Sequence, residues 1–248
     1  MLRQTRTVMG MTAIVAVAEP DANTADLNAV FDFFMETDHR FSPFKPDSEL
    51  CRLNRGEVTA PGDQMREILA LADKSRAATN GYFDIRRPDG LLDTSGIVKG
   101  WAIQKGARLL ADRGYRNFAV EIGGDIQTSG AKEDGGDWRV GIRSPFASEV
   151  VKILYPRGGG VATSGSYHQG AHIYNPHGGA PDNGPGGSVV SLTVIGPDIL
   201  ESDIAATAAF AMGREGIQFI ARRSELEAYA IDASGKARMT GGLKRYLS

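Results

Sequence analysis

Four short strand candidates follow one another in the second half of the chain, and no helix long enough for a crossover separates them. Parallel neighbours in a sheet need a crossover of about a dozen or more residues, whereas antiparallel neighbours can be joined by a turn. The sequence therefore predicts the α+β class, with a mostly antiparallel or mixed sheet and helices packed on one face. The four candidates are WRVGIRSP, EVVKILYP, GGVATSG and SVVSLTVIGP.

The first half of the chain supplies most of the helices. One amphipathic segment, TADLNAVFDFFMETDHRF, has a helical stripe of five apolar residues: Leu27, Val30, Phe31, Phe34 and Met35. DQMREILALADKSRAATNG and SGIVKGWAIQKGARLLADRG predict two more helices, and Ser48 is the expected N-cap of a short helical turn. Three segments are each predicted to form one strand: RTVMGMTAIVAV, YFDI and NFAVEIGGDI.

Length and composition limit the class of protein. A chain of 248 residues with 42% hydrophobic and 23% charged residues is typical of a globular protein with a sizeable core. We predict a single domain over residues 1–248, with a Gly/Pro-rich surface loop at about residues 175–187. The only cysteine, Cys51, excludes an internal disulfide and a cysteine-based zinc site.

Charge and hydropathy give expectations about partners and location. The net charge is −2 and the two signs are interspersed, so no basic field marks nucleic acid as a partner. No apolar run approaches the roughly 20 residues that span a bilayer, and the first residues do not show the pattern of a signal peptide. We therefore expect a cytoplasmic protein without a membrane segment, whose ligand binds in a pocket.

Asp203 and Thr207 lie in the middle of a predicted helix rich in small residues, at 197–213. Residues four apart lie above one another on a helix face, so both side chains point the same way, and two oxygen donors on such a face can bind a hard cation. The alternative is structural: Asp203 favours an early helical turn through the helix dipole, and Thr207 bonds back to the carbonyl of residue 203. The residues alone leave both interpretations open.

Two glycine-containing segments are candidates for binding an anion. Asp93 and Ser95 precede a helix start, where backbone amides and Lys99 could bind phosphate; the alternative is helix capping with a solvated Lys99. The amides and hydroxyls of TSGS, residues 163–166, could line the same phosphate.

Three histidines, at positions 168, 172 and 177, follow this second segment without the spacing of a zinc-binding helix. His172, between Ala171 and Ile173, could accept a proton near neutral pH. A hydrogen-bonded structural histidine is the alternative.

Seven segments together resemble a known family. In chain order they are VMGMT, FSPFKPDSELCRLN, GYFDI, LLDTSGIVKGWAI, VEIGGDI, VATSGSYHQGAHIYNP and ESDIAATAAFAMG. Their order and spacing, over about residues 8–213, resemble the ApbE-like family of FAD:protein FMN transferases, in its short form that is not a lipoprotein. The resemblance implies a T-fold-related architecture. It also implies an enzyme that uses Mg²⁺, or Mn²⁺, to cleave FAD, attach FMN through a phosphoester bond to a Ser or Thr hydroxyl of an acceptor flavoprotein, and release AMP.

The resemblance also implies roles for individual residues. The metal would be bound by Asp203, Thr207 and the backbone carbonyl of Gly96, and His172 would be the base that assists the acceptor hydroxyl. The residues implied to surround FAD are Met9, Phe44, Tyr82, Phe83, Asp84, Asp93, Lys99 and Tyr174.

Three positions depart from the family pattern. Asn175 stands where the family commonly has Asp, Ala206 where some members carry an acid, and Lys99 where some members have Glu. Fewer carboxylates imply weaker metal binding. Two alternative functions remain open: a Mg²⁺-dependent FAD pyrophosphatase that gives FMN and AMP, and a flavin-binding protein without catalysis.

Overall fold

An eight-stranded antiparallel sheet is the framework of the computed structural model, which describes residues 1–165, 177 and 188–247. The strands in chain order are β1 (Leu2–Val8), β2 (Met11–Val17), β3 (Phe118–Ile122), β4 (Asp125–Ser129), β5 (Val140–Arg143), β6 (Val150–Leu154), β7 (Gly160–Gly165), β8 (Val189–Gly196), β9 (Glu227–Asp232) and β10 (Ala237–Met239). The order across the sheet is β1-β2-β3-β4-β7-β8-β9-β10, and every neighbouring pair is antiparallel. Strands β5 and β6 form a separate hairpin.

Six α-helices accompany these strands in the part of the chain that the structure describes. They are α1 (Thr24–Phe41), α2 (Glu49–Asn54), α3 (Asp63–Ala78), α4 (Ser95–Asp112), α5 (Ile199–Ala211) and α6 (Gly216–Ala221). None of them is both long and apolar enough to cross a bilayer. The prediction of an α+β fold with a mostly antiparallel sheet is confirmed.

The two faces of the sheet contribute to two different apolar cores, because side chains along a strand point alternately to opposite faces. Val120 and Ile122 belong to the larger core, together with apolar residues of α1, α4 and α5. Ala119 and Ile126 belong to a smaller core with Ile142 of the β5–β6 hairpin and residues near the C-terminus. The helices therefore cover one face, as predicted, and the hairpin lies against the other.

Small residues let the helices approach one another. A side-chain carbon at Gly106 of α4 would lie 2.8 Å from a ring carbon of Phe34 on α1, and one at Gly100 would lie 2.8 Å from Asp203 on α5. Both distances are shorter than normal carbon contacts, so α4 needs glycine where it crosses each neighbour. This close packing brings the backbone of α4 against the Asp203 side chain.

Two segments predicted as single strands are hairpins. RTVMGMTAIVAV divides at Met9 and Gly10, which have φ angles of 53° and 71°, and NFAVEIGGDI divides at Gly123 and Gly124, with φ angles of 62° and 95°. Two successive residues with positive φ make the tight turn that joins antiparallel strands. The alternating pattern continues through both turns, so periodicity alone did not reveal them.

Two local predictions were wrong and one remains untested. YFDI is not a strand: Asn80 and Gly81 end the α3 region with positive φ, and the Phe83 amide donates to the Thr79 hydroxyl at 3.0 Å, which holds the chain against the helix end. Met35 does not share the buried stripe of α1, because it is 48% exposed. The single domain over residues 1–248 stays a prediction.

Candidate functional site

Lys99, in the first turns of α4, contacts two buried carboxylates. Its ammonium Nζ lies 3.2 Å from Oδ1 of Asp203 on α5 and donates to Oδ2 of Asp125 at the start of β4. The side chains of Asp125 and Asp203 are 3% and 5% exposed. Buried carboxylates need compensating charge and hydrogen bonds, and Lys99 provides both. We call Lys99, Asp125 and Asp203 the charged cluster.

Backbone amides bind the remaining oxygen of each carboxylate. The Thr163 amide of β7 donates to Oδ1 of Asp125 at 2.9 Å, and the Gly100 amide donates to Oδ2 of Asp203 at 2.8 Å. In a regular α-helix the Gly100 amide donates to the carbonyl of Gly96. Here this N–H donates to Asp203, and the Gly96 carbonyl, like any backbone carbonyl, has lone pairs for a further partner.

The predicted metal ligands lie side by side. A side-chain carbon at Gly96 would lie 3.6 Å from the methyl carbon of Thr207, and Asp203 is one helical turn before Thr207 on α5. No hydrogen bond joins the Thr207 hydroxyl to any residue that the structure describes, so the back-bond to residue 203 is not observed. Asp198 is the N-cap of α5, and its Oδ1 accepts from the Leu200 amide at 2.9 Å. The cap therefore does not need Asp203, whose carboxylate is directed to α4.

Asp93 and residues 82–84, all predicted to surround FAD, lie in the segment between α3 and α4. The Asp93 amide donates to the Ile85 carbonyl at 2.8 Å, which places Asp93 beside the residue that follows Tyr82, Phe83 and Asp84 in the chain. The Asp93 carboxylate accepts from the Ser95 amide at 3.0 Å, while Thr94 is the residue at the N-cap position. Of the two residues considered for helix capping, Asp93 therefore contacts the helix start through its carboxylate, and Ser95 is the first residue of the helix.

The three residues of the YFD segment have different environments. The ring of Phe83 is buried and would touch a side-chain carbon at Gly96, at 3.4 Å. Tyr82 is half-buried, with its ring 4.5 Å from the ring of His177. The Asp84 carboxylate forms an ion pair with Arg76 at 2.7 Å, so part of its hydrogen-bonding capacity is already used.

Phe44 is 90% exposed and lies in the loop between α1 and α2. This loop borders the segment before α4: the Thr94 hydroxyl donates to the Phe41 carbonyl at 3.5 Å, and the Asn54 side chain makes two hydrogen bonds of 2.9 Å to the backbone of Leu92. The exposed ring of Phe44 is therefore carried by a loop attached to the residues around Asp93.

Met9 lies at the same end of the sheet as Asp125. It is in the β1–β2 turn, and the Gly123 amide of the β3–β4 turn donates to the Thr12 carbonyl at 2.9 Å. Asp125 follows that second turn directly. The two turns therefore lie at the same end of the strands as the charged cluster.

His172 and Tyr174 lie outside the described residues, as do His168, Asn175 and most of the predicted loop at 175–187. The connection that contains them leaves β7 at Gly165 and enters β8 at Val189. Thr163 and Gly165 of TSGS belong to β7, and the Thr163 amide is used by Asp125, so this amide is not available to a phosphate. The connection nevertheless leaves β7 and enters β8 at the same end of the strands as Asp125.

Asp125 is the site residue that the sequence interpretation missed. It occurs in VEIGGDI, which belongs to the family pattern and to a predicted strand but suggested no role for Asp125. The available signal was an acidic residue at the first position of a strand, directly after two glycines. Its burial and its bond to Lys99 depend on packing between β4 and α4, which no local pattern reveals.

We expect Gly100→Ala to disturb this site more than the fold. The added carbon would lie 2.8 Å from both Cβ and Oδ2 of Asp203, so α4 and α5 must separate or the carboxylate must turn. Such overpacking costs about 1–3 kcal/mol, partly offset by up to about 1 kcal/mol of helix propensity. The control is Gly106→Ala, which clashes with Phe34 on the same helix. Thermal unfolding should show similar losses in both variants, and Mg²⁺ titration should show a loss of metal binding in Gly100→Ala alone. Equal metal binding in the two variants would contradict the prediction.

Sequence comparisons show the relatives of this chain. The ApbE family model matches residues 9–89 and 86–230. The chain is 32% identical over 171 residues to the FAD:protein FMN transferase of Vibrio cholerae, covering 65% of this chain and 49% of that protein. It is 32% identical over 164 residues to the protein of the same name from Escherichia coli K12, covering 62% and 46%. The chain thus spans about half the length of these curated relatives.

Solved structures share the fold over the full chain. The flavin transferase ApbE from Vibrio cholerae superposes with a TM-score of 0.85 at 24% identity, covering 99% of both chains. The ApbE protein from Thermotoga maritima also gives a TM-score of 0.85, at 19% identity, covering 100% of this chain and 99% of that one. Because the family model matches residues 9–230 in two overlapping segments and the fold is shared throughout, this chain belongs to the ApbE family.

Proposed function

We propose that this protein transfers FMN from FAD to a Ser or Thr hydroxyl of an acceptor flavoprotein and releases AMP. The observation that carries the proposal is the juxtaposition of Gly96, Thr207 and Asp203 beside the buried Lys99–Asp125 pair. The names of the relatives from Vibrio cholerae and Escherichia coli support the same reaction class.

The oxygen donors at this site fit a hard divalent cation. A carboxylate from Asp203, a hydroxyl from Thr207 and a carbonyl from Gly96 are the ligand types that Mg²⁺ and Mn²⁺ prefer. Two of these groups can accept a further partner. The Thr207 hydroxyl has no hydrogen bond to the described residues, and the Gly100 N–H, which a regular helix would direct to the Gly96 carbonyl, donates to Asp203. The described residues contain no group of three His, Cys, Asp or Glu side chains able to hold a metal. Phosphate oxygens of FAD and water would then supply the remaining ligands.

When bound, the cation would neutralise charge on the FAD pyrophosphate. The protein's own residues would orient the reactants. Phe44, Met9 and Tyr82 would contact the ring systems of FAD, and the buried Phe83 would support the backbone at Gly96. We assign His172 the task of accepting the proton from the acceptor hydroxyl as that oxygen attacks the FMN phosphorus. Asp84, Asp93 and Tyr174 complete the proposed FAD surroundings.

Incubation with FAD, Mg²⁺ and a candidate acceptor flavoprotein tests the proposal. AMP release is followed by chromatography, and the acceptor is weighed by mass spectrometry. We expect AMP and an acceptor heavier by one FMN in equal amounts. AMP with free FMN and an unmodified acceptor would indicate a pyrophosphatase, and bound FAD without AMP would indicate a flavin-binding protein.

We expect Phe44→Ala to weaken FAD binding without affecting the fold. The ring is 90% exposed, so its removal costs little core packing, whereas a lost aromatic contact with FAD should raise the FAD Kd by about tenfold, or ~1.4 kcal/mol. Phe146→Ala is a matched control, because Phe146 is also an exposed phenylalanine, at 60%, in the loop between β5 and β6. Flavin fluorescence gives the Kd and thermal unfolding gives the Tm. A normal FAD affinity in Phe44→Ala would remove this residue from the proposed pocket.

A further inference from the structure

We propose that Lys99 makes metal binding at Asp203 depend on the pyrophosphate of a bound dinucleotide. The proposal rests on the proposed function, since it takes FAD as the ligand. In this view Lys99 is a built-in counterion and a positioning residue. The charged cluster is therefore suited to a complex of metal and pyrophosphate, and poorly suited to the metal alone.

The charges of the cluster carry the first step. Asp125 and Asp203 contribute two negative charges and Lys99 one positive charge, and within the described part of the chain these two carboxylates form ion pairs with Lys99 only. The cluster has a net charge of −1 before any ligand arrives. A divalent cation would change that to +1 in surroundings where both carboxylates are almost fully buried. Uncompensated charge in a buried site is costly.

The position of the ammonium group carries the second step. Nζ of Lys99 is 3.2 Å from Oδ1 of Asp203, so a cation bound to that carboxylate would lie a few ångströms from a fixed positive charge. Repulsion between two positive charges this close, beside carboxylates that are 3% and 5% exposed, should lower the metal affinity by at least about tenfold. A pyrophosphate brings about two negative charges to the same place and removes this penalty.

Asp125 keeps the Lys99 ammonium close to Asp203, and so close to the proposed metal position. One oxygen of Asp125 accepts from Lys99 and the other from the Thr163 amide at 2.9 Å, so the carboxylate is fixed to the edge of β7. Moving the ammonium to solvent would leave Asp125, which is 3% exposed, without its countercharge. The ammonium therefore stays near Asp203. Because binding free energies are reciprocal, the metal should improve FAD affinity by the same factor that FAD improves metal affinity.

The test is a calorimetric titration of Mg²⁺ into the folded protein, without FAD and with saturating FAD, in the absence of any acceptor. We expect FAD to increase the Mg²⁺ affinity of the wild type by at least about tenfold. Lys99→Met keeps most of the side-chain volume and removes the charge. This variant should bind Mg²⁺ without FAD at least about tenfold more tightly than the wild type and gain less from FAD.

Two other variants make the result specific. Lys105→Met removes a lysine from the same helix, where it pairs with Glu67 at 2.8 Å, and should leave Mg²⁺ affinity unchanged. Lys99→Gln also removes the charge, keeps a hydrogen-bond donor for Asp125 and should bind Mg²⁺ without FAD more tightly than the wild type, which gives an answer even if Lys99→Met does not fold. Equal Mg²⁺ affinity with and without FAD, or weaker Mg²⁺ binding in folded Lys99→Met, would overturn the proposal. Separate assay of FMN transfer to an acceptor tests the proposed function, so the two failures are distinguishable.

Discussion

Asp203→Ala is expected to lower metal-dependent FMN transfer by about 10²–10³-fold while leaving the protein folded. The substitution removes the only carboxylate among the proposed metal ligands and leaves the Gly100 amide without its 2.8 Å partner. Lys99 retains Asp125, so no buried ammonium is left unpaired. The rate of AMP release and of acceptor modification, measured over a range of Mg²⁺ concentrations, gives the size of the effect.

The control for this prediction is another aspartate of the same helix. Asp198→Ala removes the N-cap of α5, where Oδ1 accepts from the amides of Leu200 and Glu201, and should destabilise the protein by about 1 kcal/mol. Its transfer rate at saturating Mg²⁺ should stay near that of the wild type. If Asp203→Ala transfers FMN normally at limiting Mg²⁺, Asp203 is not a metal ligand.

His172→Asn is expected to reduce FMN transfer by about 10²–10⁴-fold, the usual loss when a general base is removed. FAD and Mg²⁺ binding should remain near normal, because the proposed contacts to both are made mainly by other residues. A purely structural histidine predicts a different result: a loss of about 1 kcal/mol in stability, with transfer reduced only in proportion to the folded fraction.

Three measurements on one preparation separate these outcomes: FAD affinity, Tm and the transfer rate. His177→Asn shows how much stability is lost when a histidine hydrogen bond is removed, because Nε2 of His177 donates to the Asn80 carbonyl at 2.7 Å. Transfer by His172→Asn at a rate close to the wild type would end the assignment of His172 as the base.

Elements with a strong local period could be predicted from the sequence, and turns between similar segments could not. The segment predicted as the first helix coincides with α1, Thr24–Phe41, because its apolar residues keep the helical period to the end. The β1–β2 turn contains Met9, a non-glycine residue with a φ of 53°, where Asn-Gly or Asp-Gly would have marked a hairpin. Strands β9 and β10 lie after residue 213, where the sequence interpretation stopped.

The candidate site shows the same division between local and distant information. The spacing of Asp203 and Thr207 on one helix suggested a shared face, and the structure places Thr207 beside Gly96 and Asp203 beside Gly100, so both face α4. Lys99 and Asp203 are 104 positions apart and meet because Gly100 lets α4 pack closely on α5. Asp125 joins them because the start of β4 lies against α4. Contacts of this kind depend on the tertiary fold, and a single sequence carries no direct signal for them.

The pairing of β7 with β8 has a consequence for how such proteins can diverge. These strands are antiparallel neighbours from Gly160↔Gly196 to Gly165↔Ser191, so a short turn would be enough to join them. The chain instead has a long connection there, while β7 also pairs with β4 and β8 also pairs with β9, so neighbouring strands help to fix the register. Apart from His172 and Tyr174, positions in this connection can therefore change without altering the strands that hold Asp125 and Thr163. We expect acceptor preference to vary among related proteins with the sequence of this connection, whereas the residues proposed to bind the cation should stay the same.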